Sequence, residues 1–138
     1  MSMSVEVPVR WMDLDALGHV NNAIYLNYLE EGRDRLLESC LGESFAHVVI
    51  ARVEIDYRHE IARGVDFVVV HAAVEAVGTS SIVTVERIEL PDGTVSAQSR
   101  TVNVMRAAEG GGSRALTEAE RVGLENAIAK TSGDSSGE

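Results

Sequence analysis

Two aspartates, Asp13 and Asp15, stand a few residues before a segment that is predicted to form a long helix. The first turn of an α-helix leaves its backbone N–H groups without partners and carries a partial positive charge. Such donors stabilise the oxyanion that forms when a carbonyl group is attacked, and a carboxylate beside them can act as nucleophile or activate a water molecule. This combination suits acyl transfer, although an aspartate before a helix is more often a cap or a turn former.

The helix is predicted over residues 22–41, because apolar side chains recur there at spacings of three and four. These residues are Tyr25, Tyr28, Leu29, Leu36, Leu37, Cys40 and Leu41. Gly42 provides a stop signal, and either Asn21 or Asn22 can cap the start. Gly32 inside the helix costs about 1 kcal/mol relative to alanine, which indicates that another part of the backbone approaches the helix closely at this point.

Five further stretches have the alternating or continuous apolar pattern of β-strands. They cover residues 5–11, 47–57, 66–77, 80–90 and 94–106. Pro8 has no backbone N–H, so the first strand is expected at an edge or a bulge of the sheet. The order of one strand, a long helix and four consecutive strands predicts an α+β fold, in which a five-stranded antiparallel sheet wraps around the helix.

The rest of the chain is predicted to add one short helix. Residues 117–130 follow a glycine-rich break and open with the capping-box pattern Thr-Glu-Ala-Glu. The length of 138 residues fits one domain, which we assign to residues 1–130. The polar residues 131–138 are predicted to be a disordered tail.

Charge and composition narrow the possible partners. Twelve basic and twenty-two acidic residues give a net charge of −10, the opposite of a general nucleic-acid or anionic-membrane binder. No apolar run approaches the roughly 20 residues that cross a bilayer, and no signal-peptide pattern is present. The one cysteine, Cys40, forms no internal disulfide, and no Cys/His spacing typical of metal sites occurs. We therefore expect a cytoplasmic protein without metal, cofactor, nucleic-acid or membrane partners.

The stretch from Arg10 to Arg33 resembles the hotdog-fold acyl-CoA thioesterases of the 4-hydroxybenzoyl-CoA thioesterase type. The shared pattern is Arg-Trp-x-Asp-x-Asp-x-x-Gly-His-Val-Asn-Asn-x-x-Tyr-x-x-Tyr-x-Glu-x-x-Arg. Gly-Thr-Ser-Ser at 78–81 and the order of elements over 4–106 agree with it. The resemblance implies a hotdog fold that hydrolyses an acyl-CoA or acyl-carrier thioester to a carboxylic acid and a thiol. It also implies a homodimer or a tetramer, and the apolar run 66–77 independently favours association.

The resemblance also implies roles for single residues. Asp15, the second acid of Asp-x-Asp, would be the catalytic carboxylate, and Asp13 a supporting loop residue. The backbone N–H of Asn22 would polarise the thioester carbonyl as the oxyanion donor. Gly18 would let the loop approach the thioester, and Tyr25 would pack beneath the site. Asn21 and His19 match the Gly-His-Val-Asn-Asn form of the motif and are further binding and catalytic candidates.

Other residues have both a functional and a structural interpretation. His19 can be catalytic, or can be a turn histidine that only hydrogen-bonds the backbone. Arg58, His59 and Arg63 can bind coenzyme A phosphates, which favour arginine, or can form a solvated loop. A helix glutamate is catalytic in another hotdog subgroup, which makes Glu30 a second candidate acid, against the alternative of a solvated helix face.

Two other functions are compatible with the same residues. Hotdog hydratases and dehydratases use a catalytic histidine with an acid elsewhere in the chain. A non-catalytic module could bind acyl thioesters without hydrolysing them. The acids that precede Gly-His-Val-Asn-Asn favour hydrolysis, and the sequence leaves open whether Asp15 attacks the thioester or activates water.

Overall fold

The computed structural model describes residues 2–136, with side chains for all of these except 109 and 130–136. Its strands and long helices are β1 (Ser2–Pro8), α1 (Asn22–Leu41), β2 (Val48–Tyr57), β3 (Phe67–Val77), β4 (Ser81–Glu89), β5 (Val95–Met105) and α2 (Glu118–Ser136). Short 3₁₀ turns lie at Trp11–Asp13, Gly42–His47 and Ala108–Gly110. The five strands form one antiparallel sheet in the order β1-β3-β4-β5-β2, and α1 packs against β1, β3 and β4. The predicted fold class is confirmed.

The first strand begins and ends three residues earlier than predicted. It ends at Pro8, because the chain turns at Trp11, where Arg10 hydrogen-bonds the Asp13 carboxylate. The Trp11 side chain is consequently 85% exposed. The edge position expected for Pro8 is confirmed. The Val9 N–H donates to the carbonyl of Asp66, the residue before β3, at 2.8 Å. Because N–H directions alternate along a strand, the even-numbered residues of β1 direct their N–H groups away from β3.

The inner face of the sheet carries two apolar clusters with polar residues between them. One cluster contains Leu29 of α1 and the other contains Leu36, two turns further along. Arg33 lies between them and places Nη1 3.7 Å from Oε1 of buried Glu86. The same oxygen accepts hydrogen bonds from the hydroxyls of Ser99, at 2.7 Å, and Thr101, at 2.8 Å. A buried charge needs such partners, so this group fixes how α1 sits on the sheet.

The close approach predicted at Gly32 is confirmed. A Cβ atom at this position would lie 2.5 Å from Cγ1 of Val70 on β3. Any side chain there would push α1 away from the sheet. The helix ends at Leu41 as predicted, and Gly42 follows it with a φ of +57°, in the region that favours glycine.

α2 begins with the predicted capping box. The Glu120 N–H donates to Thr117 Oγ1 at 3.2 Å, and the Thr117 N–H donates to the Glu120 carboxylate at 2.8 Å. The disordered tail predicted at 131–138 is wrong as far as Ser136, since α2 continues to that residue; the last two residues lie outside the described residues. Once a helix is nucleated, further residues add at little cost.

A pH-dependent contribution to stability follows from Glu120. Arg114 donates to its two carboxylate oxygens at 2.8 and 2.9 Å, and this pairing lowers the pKa of Glu120 from 4.5 to about 2, against the opposing effect of burial. A lowered pKa stabilises the fold above the unfolded-state pKa and loses this effect as pH falls through the folded-state value. Glu120→Gln should therefore lower the melting temperature at neutral pH, with a deficit that shrinks between about pH 5 and pH 2.

The control is Glu118→Gln, because Glu118 is exposed in the same helical turn. Thermal denaturation followed by circular dichroism across this pH range measures both variants. A deficit of Glu120→Gln that stays constant with pH would show that the carboxylate charge is not what stabilises α2.

Candidate active site

The Asp13 carboxylate is buried and fully engaged. It accepts hydrogen bonds from the Arg10 backbone N–H at 3.0 Å, from Arg10 Nη2 at 2.9 Å and from the Tyr28 hydroxyl at 2.6 Å. Burial by itself would raise the pKa of Asp13, but the hydrogen bonds from Tyr28 and Arg10 outweigh burial, so that the pKa lies below its ordinary value. Asp13 thus joins the end of β1 to α1 and holds the loop between them.

Asp15 lies in a tight turn of the same loop. Its N–H donates to the His19 carbonyl at 2.8 Å, and its carbonyl accepts from the Gly18 N–H at 3.0 Å. Gly18 has a φ of +82°, which a residue with a side chain rarely adopts. The Asp15 Oδ1 accepts from the Leu17 N–H at 2.9 Å and, at a longer 3.4 Å, from the His19 N–H. Among the described residues Oδ2 has no hydrogen-bond partner, so the turn orients the carboxylate and leaves one oxygen available.

The start of α1 provides a free amide. Asn21 is the N-cap, and its side-chain oxygen accepts from the Ala23 N–H at 2.9 Å. The Ile24 N–H donates to the Asn21 carbonyl at 2.9 Å. Within residues 2–136 the Asn22 N–H donates to no acceptor. It is therefore a free donor at the positive end of a 20-residue helix.

The Asp15 loop is bonded to the segment between β2 and β3. The Val20 N–H donates to the Ile61 carbonyl at 2.9 Å, and the Arg63 N–H donates to the Gly18 carbonyl at 2.9 Å. The Arg63 guanidinium lies over Gly18, within 3.8 Å of the position that a Cβ atom would take. The structure thus places Arg63 beside the Asp15 turn, although 48 residues separate Arg63 from Asp15 in the chain.

The other polar candidates are engaged elsewhere. His19 places Nε2 3.1 Å from the Glu60 carboxylate. Arg58 donates from Nε to the Gln98 side-chain oxygen at 2.9 Å. Arg58 also lies 4.0 Å from the Asp56 carboxylate, whereas Arg63 lies over Gly18, so the two arginines have different neighbours.

Two tyrosines connect the helix start to the end of β2. Tyr25 is buried, and its hydroxyl accepts from the Ile61 N–H at 3.1 Å. Its ring meets Tyr57 edge-on, with ring centres 5.1 Å apart. The half-exposed Tyr57 donates its hydroxyl to the Asn22 carbonyl at 3.1 Å. Tyr57 was not among the predicted site residues. Its position as the last residue of β2 is the only sequence signal that points to it.

Apolar side chains surround this loop and face solvent. The large ones with high exposure are Trp11 (85%), Leu17 (81%), Met12 (72%), Tyr57 (47%) and Leu26 (41%). Two grooves, of about 470 and 300 Å³, lie elsewhere on the surface, and Asp15 lines neither. In the single chain the Asp15 site is therefore an open, apolar surface, of a kind that usually marks an interface or a binding site.

Metal centres and membrane spans are both absent from the described part of the chain. No three His, Cys, Asp or Glu side chains are grouped there so as to hold a metal ion. No helix among those residues is long and apolar enough to cross a membrane. The cytoplasmic location stays a prediction.

The family model of the thioesterase-like superfamily matches residues 9–129. The chain belongs to the thioesterase-like superfamily. This match confirms the resemblance derived from the motif at 10–33 and makes the protein an enzyme of the thioester hydrolase class. No curated protein sequence matches the chain significantly.

Solved structures of similar fold agree with this assignment. A thioesterase from Thermus thermophilus, complexed with coenzyme A and Zn, is 35% identical, with a TM-score of 0.82 over 92% of this chain and 94% of that one. The probable thioesterase YbaW from Escherichia coli is 29% identical, with a TM-score of 0.76 over 91% and 98%. The 1,4-dihydroxy-2-naphthoyl-CoA thioesterase Slr0204 from Synechocystis, at 16% identity and a TM-score of 0.79 over 91% and 97%, shares the fold.

Proposed function

We propose that the enzyme hydrolyses acyl-CoA or acyl-carrier thioesters, with Asp15 as its catalytic carboxylate and the Asn22 N–H as its oxyanion donor. The observation that carries this proposal is the contrast between the two acids of the loop. Every hydrogen-bonding direction of Asp13 serves the fold, whereas Asp15 keeps one free oxygen in a turn that leads directly to the free amide of α1. Coenzyme A as the thiol is supported by the similar Thermus thermophilus thioesterase, whose structure contains it.

The chemistry has two possible routes from this geometry. In one, Asp15 Oδ2 attacks the thioester carbonyl, the C–S bond breaks to release the thiolate, and water then hydrolyses the resulting anhydride. In the other, Asp15 takes a proton from a water molecule that attacks the carbonyl directly. In both, the developing oxyanion accepts a hydrogen bond from the Asn22 N–H. A single turnover in ¹⁸O-labelled water tests the first route, because label in the Asp15 carboxylate arises only when water attacks the Asp15 carbonyl carbon of the anhydride.

Glu30 has no comparable surroundings. It is exposed and lies two turns inside α1, where the backbone N–H groups are already bonded within the helix. A carboxylate there lacks an oxyanion donor from its own helix. This difference favours Asp15 as the catalytic acid.

Asp15→Asn tests the central assignment. The substitution keeps the size and the acceptor oxygen of the turn but removes the charge and the basicity. We expect kcat for thiol release to fall by at least about 100-fold, since general-base assistance is worth ~10²–10⁴-fold, with a smaller change in KM.

The matched control is Asp13→Asn, which alters the other acid of the same loop. It should lower the melting temperature, because the buried hydrogen bonds from Tyr28 and Arg10 are weakened. Its kcat should fall less than that of Asp15→Asn. Near-normal turnover by Asp15→Asn, together with inactivity of Asp13→Asn or Glu30→Gln, would move the catalytic role away from Asp15.

The phosphate end of coenzyme A is proposed to lie against Arg63. This guanidinium is exposed and lies beside the Asp15 turn, whereas Arg58 is held by Gln98. Arg63→Ala should raise KM for an acyl-CoA by about tenfold, the loss of one charge-assisted hydrogen bond of roughly 1.5 kcal/mol. The increase should become smaller in high salt, because exposed charges are screened.

Arg58→Ala is the comparison for this second test, since Arg58 was the other arginine predicted to bind phosphate. Steady-state kinetics with the same acyl-CoA measure both variants. An unchanged KM in Arg63→Ala, with a raised KM in Arg58→Ala, would place the phosphates at the other end of the segment.

A homodimer is proposed to complete the site. β2 is an edge strand of ten residues, and its exposed side chains include Val49 and Ile50. The Arg58 N–H donates to the Ser96 carbonyl at 2.8 Å, which shows that even-numbered residues here bond to the β5 side. Because N–H directions alternate along a strand, Val53 and its odd-numbered neighbours direct their N–H groups away from β5, to the open edge. A long open edge with apolar side chains is a template for another strand. A second β2 would extend the sheet and cover the apolar surface near Asp15; a tetramer of two such dimers stays a prediction.

Val53→Pro tests this arrangement. It removes an N–H that the single chain does not use, so the fold should survive while pairing between two β2 strands is lost. We expect sedimentation to show a folded monomer with little thioesterase activity. Val53→Ala, which keeps the N–H, should remain dimeric and active. A dimer that persists unchanged in Val53→Pro would exclude pairing through this edge.

A further inference from the structure

The outer face of the sheet carries a second cluster of reactive side chains, on the side away from α1. The Ser4 Oγ lies 2.8 Å from His71 Nδ1, and the Glu89 Oε2 lies 3.2 Å from His71 Nε2. A neutral imidazole protonated on Nε2 accepts from the Ser4 hydroxyl through Nδ1. Among the described residues Nε2 makes no hydrogen bond, so the Glu89 Oε2, which also lies 3.5 Å from Arg87 Nε, acts on the imidazole as a neighbouring negative charge. A serine, a histidine and a carboxylate in such a series are the groups that make a serine nucleophilic.

The strand register holds these three residues together. Ser4 on β1 is paired directly with His71 on β3, and His71 with Arg87 on β4. Glu89 lies two residues beyond Arg87, on the same face. The His71 side chain is 22% exposed and that of Glu89 is 29% exposed. Burial, and secondly the charge of Arg87, hold the pKa of His71 below its ordinary value, so the imidazole is neutral and can accept a proton.

The edge position of β1 adds a free backbone donor. The Val9 N–H donates to the Asp66 carbonyl, so the odd-numbered residues of β1 form the hydrogen-bonded pairs with β3. The N–H of Ser4 consequently points to the open edge of the sheet. In serine acyl transfer the amide of the nucleophile itself stabilises the oxyanion.

A groove of about 470 Å³ lies next to this cluster. Ser2, on the same face of β1 as Ser4, lines it together with His71. Its other walls include Ala73 and Val85, whose small side chains leave the space, and Arg87. Its volume lies in the range of small-molecule sites, and of the three residues of the cluster His71 lines it.

We propose that Ser4 is a second nucleophilic centre, which His71 and Glu89 activate to accept an acyl group from an activated ester. The Ser4 O–H bond breaks as its proton moves to His71 Nδ1, and Oγ bonds to the carbonyl carbon. The ester C–O bond then breaks, and the leaving alcohol takes the proton from His71. The products are an acyl-Ser4 ester and an alcohol. This reaction does not use Asp15.

The probe is p-nitrophenyl acetate, used on the Asp15→Asn enzyme so that the thioesterase site is silent. Peptide mass spectrometry follows acetylation of Ser4 against that of Ser2, an exposed serine on the same face of the same strand. We expect Ser4 to be acetylated at least tenfold faster than Ser2. The fast release of p-nitrophenol should disappear in Ser4→Ala and persist in Ser2→Ala.

His71→Gln should slow acetylation of Ser4 at least tenfold, and Glu89→Gln should slow it severalfold. If His71→Gln does not fold, Glu89→Gln still tests the proposal. In the Asp15-containing enzyme neither change should alter thioester hydrolysis, so failure here and failure of the proposed function are separate results. Equal acetylation of Ser2 and Ser4, no acetylation of Ser4, or an unchanged rate in a folded His71→Gln or Glu89→Gln enzyme would overturn the proposal.

Discussion

The buried Asp13 carboxylate holds the loop of the candidate active site in place, and the position of Asp15 and of the first amide of α1 depends on it. Its partners come from three places: the Arg10 backbone, the Arg10 guanidinium and the Tyr28 hydroxyl on α1. Burying a carboxylate is costly unless hydrogen bonds or an opposite charge replace the water that it loses. After β1 ends at Pro8, the chain must therefore turn at Arg10 and enter α1 in one conformation. That conformation places Asp15 in the turn before the helix and leaves the first amide of α1 free.

The two aspartates of the loop illustrate how surroundings separate identical side chains. Asp13 is removed from water. Burial would raise its pKa, but its hydrogen bonds keep the pKa below the ordinary value. Asp15 lies in a half-exposed turn, and among the described residues its Oδ2 accepts no hydrogen bond. Asp13 contributes to stability, and Asp15 is the proposed catalytic carboxylate. An exposed turn needs such a rigid support, because a catalytic group must stay near its productive position.

The sheet has two different faces and two open edges, and each has its own consequence. The inner face is apolar except for the group around Arg33 and Glu86, which fixes the position of α1. The edge at β2 has the exposed Val49 and Ile50 near its start, and Tyr57 at its end contacts the start of α1. This edge is the proposed contact with a second copy. The edge at β1 is polar on the outer face, where the Ser4 hydroxyl meets His71 and the Ser4 N–H points away from β3 to the open edge. The free edge at β2 is thus the proposed site of association, and the free edge at β1 exposes a backbone donor.

The sequence by itself determined the elements whose cause is local. α1 runs over 22–41 because its periodicity and its asparagine and glycine caps lie within the same segment, and the motif at 10–33 identified the family. Only the tertiary structure decided which aspartate is buried, that Tyr57 holds the start of α1, and that Arg63 rather than Arg58 reaches the loop. It also decided that Ser4 meets His71, 67 residues away. These contacts join segments that are far apart in the chain. They depend on strand register and on burial, and a local pattern of residue types determines neither of these.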